Sequence, residues 1–298
     1  MSIAFAKGHG TENDFVLIDD PDGGFELTPP VVRELCDRRV GLGADGVIRV
    51  VRTAYAGAGW AGVGPVPEWF MDYWNADGSA AEMCGNGVRV FVTHLINQGW
   101  LDLPDGGQSV IATRGGAKLV RRQGDQISAD LGPWRVVGGP AAVDVGGDVK
   151  VTLPGMPVLP GLSVALDNPH VVVVLPDVET LAALDLTLAP IVEPVPANGT
   201  NVELVVPIHD QHLGQELGHL VMRVHERGVG ETRSCGTGAV AAALAARAWG
   251  GPGAPDVWRV DVPGGTLQVT VEGSATEGLV GELAGPAVIV ARGELLDL

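Results

Sequence analysis

Two Cys-Gly-X-Gly turns, Cys84-Gly85-Asn86-Gly87 and Cys235-Gly236-Thr237-Gly238, each lead straight into a helical pattern, and they constrain the fold more than any other feature. After the first, Val88, Phe91, Val92, Leu95 and Ile96 fall at i, i+3, i+4, i+7 and i+8, and Gly99 supplies a stop. After the second, Ala239 to Ala246 is apolar on every side, which predicts a helix buried all round. A shift of 151 residues, the separation of the two cysteines, aligns 71–87 with 222–238 without a gap. Met71/Met222, Cys84/Cys235, Gly85/Gly236 and Gly87/Gly238 are then identical. Both copies read strand, glycine-containing loop, Cys-Gly-X-Gly, helix. A duplicated domain is the simplest account, because the shift is close to half of the 298 residues.

Strand patterns fill most of the remainder: Phe15–Ile18, Val47–Val51, Trp69–Tyr73, Lys118–Arg121, His170–Val174, Asn201–Val206, Leu220–His225, Trp258–Val262 and Leu267–Val271. Further helix signals are few. Thr28-Pro29 starts one with Val31, Val32, Leu35 and Cys36 as its stripe, and Val178–Leu184 is a weaker one. The 44 glycines and 21 prolines fit short strands and tight turns. The expected class is α+β: two pseudo-symmetric domains, each a curled, mostly antiparallel sheet around a central helix, with the boundary near residue 127.

Several function classes fall away. A net charge of −17 argues against nucleic acid and anionic membrane as partners, since phosphate binding needs clustered Lys and Arg. The N-terminus shows no basic region followed by an apolar core, and no apolar run is long enough to span a bilayer, so a cytoplasmic protein is expected. Three cysteines there are no disulfide framework. Gly41-Leu42-Gly43-Ala44-Asp45-Gly46 matches the dinucleotide fingerprint, but it follows a helix and opens a strand, the reverse of what a nucleotide needs. Cys36 sits on an apolar stripe and reads as a small core residue. His9, His94, His209, His212 and His219 lack metal-ligand spacing, so no metal is expected. The chain has three lysines, Lys7, Lys118 and Lys150, none in a motif suited to a pyridoxal Schiff base, and cofactor-free chemistry is favoured.

A helix N-terminus carries unpaired N–H groups and partial positive charge, which lowers a thiol pKa and favours a bound carboxylate. Two such helices could grip one carboxylate at Gly85-Asn86 and Gly236-Thr237 and present a thiol to each face of the adjacent α-carbon. That suits inversion of a stereocentre: one thiolate removes the α-proton and the other thiol delivers one. N–H groups aimed at the carboxylate would stabilise the carbanion. A non-catalytic amino-acid-binding protein needs neither cysteine. A thiol oxidoreductase cycling a Cys84–Cys235 disulfide is the other rival.

Asn75-Ala76-Asp77-Gly78-Ser79 leading into Met83-Cys84-Gly85-Asn86-Gly87-Val88-Arg89 resembles the first signature of the diaminopimelate epimerases. His225-Glu226-Arg227-Gly228-Val229-Gly230-Glu231-Thr232 followed by Cys235-Gly236-Thr237-Gly238 resembles the second. Gly10-Thr11-Glu12-Asn13-Asp14-Phe15, Asp167-Asn168-Pro169-His170 and Asn201-Val202-Glu203 match in order along the chain. Proline racemases share the two-cysteine layout without the Asn-Ala-Asp-Gly-Ser element. The resemblance implies Cys84 and Cys235 as the acid–base pair, with His170 and Glu226 assisting. It implies Asn13, Asn75, Asn168, Asn201 and Arg227 on the substrate, Gly85, Asn86, Gly236 and Thr237 on the reacting carboxylate, and His170 and Glu226 near the reacting ammonium or the thiols, with Glu226 also counted among the substrate-binding residues. It further implies diaminopimelate as substrate, no cofactor, a homodimer, and a last segment, about 284–298, returning to the first domain and leaving 128–283 as the second. Many relatives carry Gln near Gly46, where this chain has no side chain, and Trp74 stands where Arg or another aromatic is usual. The stretch Ala54–Pro67 reads as an inserted loop with no role.

Overall fold

In the computed structural model, which describes residues 2–57, 60, 62, 65–166, 168–208, 217–272 and 280–296, the chain begins as a hairpin. Strand β1 (Ile3–Gly10) turns back into β2 (Asn13–Asp19) through Thr11 and Glu12, both at positive φ (49° and 62°) without a glycine to relieve them. Such backbone is costly and concentrates where function needs a fixed turn. Helix α1 (Pro29–Cys36) follows, burying Val32, Leu35 and Cys36, as the apolar stripe predicts. Then come β3 (Gly46–Arg52), β4 (Trp69–Asn75), helix α2 (Gly85–Asn97), β5 (Gln108–Thr113), β6 (Gly116–Gln123) and β7 (Gln126–Pro133).

The chain continues through β8 (Arg135–Val136), helix α3 (Gly139–Asp144), β9 (Val149–Thr152), β10 (Leu159–Ala165) and β11 (Pro169–Val174). Helix α4 (Val178–Ala183) is capped by Asp177, whose side chain accepts from the Thr180 N–H at 2.7 Å. After it run β12 (Ile191–Glu193), β13 (Asn201–Pro207), β14 (Leu217–Glu226), β15 (Gly230–Thr232) and helix α5 (Gly236–Gly250). Strands β16 (Val257–Val262), β17 (Gly265–Glu272), β18 (Val280–Gly285) and β19 (Val288–Leu295) complete it. The α+β class expected from the sequence is the one observed. Among the described residues no helix is long and apolar enough to cross a membrane.

Residues 1–130 with 285–298 form one compact unit and 131–284 the other. In the first, β1–β2 is antiparallel, β2–β3 parallel, β3–β4 antiparallel, β4–β5 parallel, and β5–β6 and β6–β7 antiparallel. In the second, β10–β11, β11–β13, β13–β14, β14–β16, β16–β17 and β17–β18 repeat that series in the same order of senses. Helix α2 packs against β1 to β4 and β19, and α5 against β10, β11, β13, β14, β16 and β17. Residues Gly236 and Gly238 to Ala245 of α5 are buried, which is why that segment can be apolar all round.

Candidate active site

Cys84 and Cys235 are the N-cap residues of α2 and α5. Each has extended backbone (φ −142°, ψ 121° and φ −120°, ψ 113°), and each sulfur accepts from the N–H three residues on, Gly87 and Gly238, at 3.4 Å. A thiol therefore occupies the place usually taken by a Ser or Asp oxygen, pointing into the first turn of the helix. Gly85-Asn86 and Gly236-Thr237 are then the first two helical positions.

In the first unit the hairpin turn delivers Asn13. Its Oδ1 accepts from Asn86 Nδ2 at 3.2 Å and lies 3.7 Å from the Cys84 sulfur. Its Nδ2 donates to Asp45 at 2.8 Å, which ties the amide to a cluster of Asp14, Asp45, Lys7 and Arg38. Phe15 and Ile48 line the floor: a Cβ at Gly87 would lie 3.3 Å from Ile48 Cδ1 and 3.6 Å from Phe15 Cε1. Asn75 ends β4 and opens a turn held by Asn75 Nδ2 to Ser79 Oγ at 3.0 Å, with Gly78 at φ 84°. It joins none of the bonds linking Asn13, Asn86 and Cys84. Gly46 pairs with Asn75 across β3 and β4, and a Cβ there would sit 2.6 Å from Trp74 O and Tyr73 Cε2. Packing leaves no room for a Gln at that position without rearrangement. Within the loop 54–67, residues 58, 59, 61, 63 and 64 lie outside the described residues.

The second unit gathers more of the expected residues. Asn168 Nδ2 donates to Thr237 Oγ1 at 3.2 Å, and Asn168 Oδ1 faces His170 Nε2 at 2.8 Å; Asp167 lies outside the described residues. Thr237 Oγ1 is 3.6 Å from the Cys235 sulfur. Asn201 is the register partner of His170 across β11 and β13, and its Oδ1 accepts from the Arg227 N–H at 2.9 Å. The Arg227 guanidinium donates to Asn198 O at 2.8 Å. Glu226 is hydrogen-bonded to Thr232 Oγ1, and its charge acts on the Cys235 thiol.

Glu203 belongs to this group although the sequence assigns it no role. Its Oε1 lies 2.7 Å from His170 Nδ1, and Glu203 and His170 are 0% and 1% exposed. A Cβ at Gly238 would come within 2.7 Å of the same oxygen, so the second glycine of Cys235-Gly236-Thr237-Gly238 makes room for a carboxylate. The available signal was an acid inside the otherwise apolar run Val202–Val206.

These surroundings give the second thiol a distinct character. Burial, then the charges of Glu226 and Glu203, push Cys235 well above the usual thiol range. Burial also raises Glu226, against the Thr232 hydrogen bond. Cys36, buried in the first unit's core, is pushed up to about 11 by burial.

A family model described as diaminopimelate epimerase matches residues 5–137 and 163–290. The diaminopimelate epimerase of Streptomyces coelicolor is 46% identical over 98% of this chain and 95% of its own. That of Rhodococcus erythropolis is also 46% identical, over 99% of this chain and 97% of its own. Among solved structures, a phenazine biosynthesis protein of the PhzF family from Bacillus anthracis superposes with a TM-score of 0.69 over 100% of both chains. At 15% identity it shares the fold alone.

Proposed function

The chain belongs to the diaminopimelate epimerase family, and on that premise we propose that it interconverts LL- and meso-2,6-diaminopimelate without a cofactor, using Cys84 and Cys235 as paired acid and base. The observation that carries this reading is the repeated N-cap: the two cysteines start the two matching helices, each sulfur held by the amide three residues on. The helix start favours the thiolate at each position, and at Cys235 burial and the charges of Glu226 and Glu203 outweigh it, so that sulfur holds its proton the more firmly. One thiolate takes the α-proton and the other thiol gives one. The carbanion formed between these events is stabilised where its charge spreads onto the carboxylate, at the N–H groups of Gly85, Asn86, Gly236 and Thr237.

The remaining residues divide by chemistry. His170 and Glu226 assist at the reacting end. Asn13, Asn75, Asn168, Asn201 and Arg227 hold the substrate, chiefly its unreacting amino-acid end, for which amides and one guanidinium are suited. Arg227 must leave or share its bond to the Asn198 carbonyl to receive a carboxylate. The reaction serves lysine and cell-wall precursor synthesis, and we extend the reading to a homodimer in the cytoplasm. The test is kcat/KM of the purified, reduced protein on LL-diaminopimelate, proline and lysine. Turnover of the first with the others nearly inert supports the assignment, and comparable values for proline overturn it.

A further inference from the structure

Glu203 is fully buried between Val202 and Leu204 of β13, and its Oε2 has no hydrogen-bond partner. Its other oxygen meets His170 Nδ1 at 2.7 Å, and His170 Nε2 lies 2.8 Å from Asn168 Oδ1. Both ring nitrogens therefore face oxygens. An ionised carboxylate buried beside a neutral ring is an uncompensated charge, and a costly one. The cost falls if the pair holds one hydrogen between Nδ1 and Oε1 and a second on Nε2. The pair is then neutral as a whole, whichever of the two atoms keeps the shared hydrogen. The second hydrogen sets the direction of everything beyond it. With Nε2–H donating, Asn168 Oδ1 accepts, and the amide turns its Nδ2 to Thr237 Oγ1 at 3.2 Å. Thr237 Oγ1 accepts there, which leaves its own hydrogen for the Cys235 sulfur at 3.6 Å.

We propose that the Glu203–His170 pair, holding a hydrogen on His170 Nε2, orients Asn168 and through it the Thr237 hydroxyl, so that Thr237 donates to the Cys235 sulfur and receives the thiolate formed there in turnover. This rests on the two-cysteine reading above and deepens it. Towards Cys235 the residues Glu203, His170 and Asn168 are positioning residues, and Thr237 is the group that touches the sulfur. A thiolate can only accept, so this direction is the one it needs. The opposite direction turns the amide round, spends the hydroxyl hydrogen on Asn168 Oδ1 and leaves the sulfur without it.

The surroundings of Cys235 make such a donor matter. Burial, Glu226 of β14 and Glu203 of β13 all raise its thiol, and the groups that oppose them are the Thr237 hydroxyl and the Gly238 N–H, the latter at 3.4 Å. His170 of β11 stands beside Glu203, and its Nε2 hydrogen offsets part of the Glu203 charge. Once Cys235 has given its proton to the α-carbon, these two donors hold the S⁻ until it is reprotonated. At the matching places in the first unit stand Phe15 and Ile48, so the pair is a feature of the Cys235 side.

The direction of the chain is read by nuclear magnetic resonance of the reduced, substrate-free protein carrying nitrogen-labelled histidine, the His170 signals being those absent from His170→Gln. A hydrogen on His170 Nε2 at neutral pH is expected, and a bare Nε2 overturns the proposal. The consequence is read by iodoacetamide alkylation of Cys235 across pH, resolved by mass spectrometry. Thr237→Val keeps the backbone N–H and loses the hydroxyl. It should raise the Cys235 midpoint by about 1 unit and slow alkylation about tenfold below it, and Thr237→Ser should restore the native midpoint. In Asn168→Asp the hydroxyl donates to the new carboxylate instead, so adding Thr237→Val there should change little. An equal rise in both backgrounds, or a midpoint unmoved by Thr237→Val while KM alone rises, overturns the proposal. Should Thr237→Val lose the native circular dichroism, Thr237→Ala takes its place with the same expectation. Failure of the two-cysteine reading is seen separately, as turnover that survives Cys235→Ala.

Discussion

Glu203 Oε1 lies 2.7 Å from His170 Nδ1 on adjacent parallel strands, in the place where the other unit carries Ile48 and Phe15. The registers make the correspondence explicit: His170 pairs with Asn201 and Phe15 with Gly46, and Glu203 and Ile48 each stand two residues further on. One copy of the motif thus rests on a buried charged or hydrogen-bonded pair and the other on hydrocarbon.

Breaking that pair should cost both stability and activity. Glu203→Leu leaves His170 Nδ1 buried without its partner and should destabilise by about 3 kcal/mol or more. Replacing both, as His170→Phe with Glu203→Ile, copies the first unit and should recover much of the urea midpoint while leaving epimerisation lost. Recovery of turnover along with stability would show that the pair is only packing.

The glycine beside it makes a sharper steric test. Gly238→Ala puts a methyl 2.7 Å from Glu203 Oε1, whereas the nearest contact at Gly87 is 3.3 Å. Gly238→Ala should therefore cost about 1–3 kcal/mol and lower kcat/KM well beyond Gly87→Ala. Equal effects at the two positions in paired denaturation and activity measurements would contradict this.

Much of this arrangement was legible in the sequence, because the signals were local. The two Cys-Gly-X-Gly helix starts, the Thr28-Pro29 start and nine strands each follow from a turn residue and a periodicity. The duplication was visible only across 71–87, where the shift is 151; β6 and β17 are related by 149, so no single offset spans both copies. What the copies preserve elsewhere is the order of strand senses, which leaves little trace in residue identity. Strand β19 is mostly exposed and lacks an apolar face to betray it, and α3 is a six-residue helix that opens on Gly139-Pro140. Glu203 is not legible in the sequence because a polar residue inside an apolar run reveals its partner, here His170, only once the neighbouring strand is in place.

Glu226→Gln should make the second thiol more acidic. The Glu226 charge disfavours a neighbouring thiolate, so its removal lowers the pH at which Cys235 ionises. Alkylation of Cys235 should begin at lower pH in the variant while Cys84 is unchanged. A midpoint that rises instead would mean that the carboxyl stabilises the thiolate as a hydrogen-bond donor.

Cys36 should be inert. Its thiol, pushed up to about 11 by burial and packed with Val32 and Leu35, carries almost no thiolate at neutral pH. Cys36→Ala should retain most activity at a cost of about 1 kcal/mol, and peptide mapping should find it unmodified when Cys84 and Cys235 react. Inactivation that tracks Cys36 modification would count against the assignment of the other two.

Arg227→Lys keeps the charge but loses the planar fork. If Arg227 receives the distal carboxylate, kcat/KM for diaminopimelate should fall strongly, and the unmodified protein should discriminate against proline and lysine by roughly 10⁴-fold. A small effect of Arg227→Lys would leave the side chain in its present role, holding the Asn198 carbonyl.

The most direct measurement of the paired acid–base claim follows solvent deuterium in the first few per cent of turnover of LL-diaminopimelate, for the native protein and for Cys84→Ala and Cys235→Ala. Two thiols acting on opposite faces predict product labelled at one α-carbon and recovered substrate unlabelled, with neither variant forming product while both retain the native circular dichroism. Product that keeps its original α-hydrogen, or near-native turnover with either cysteine removed, would contradict it.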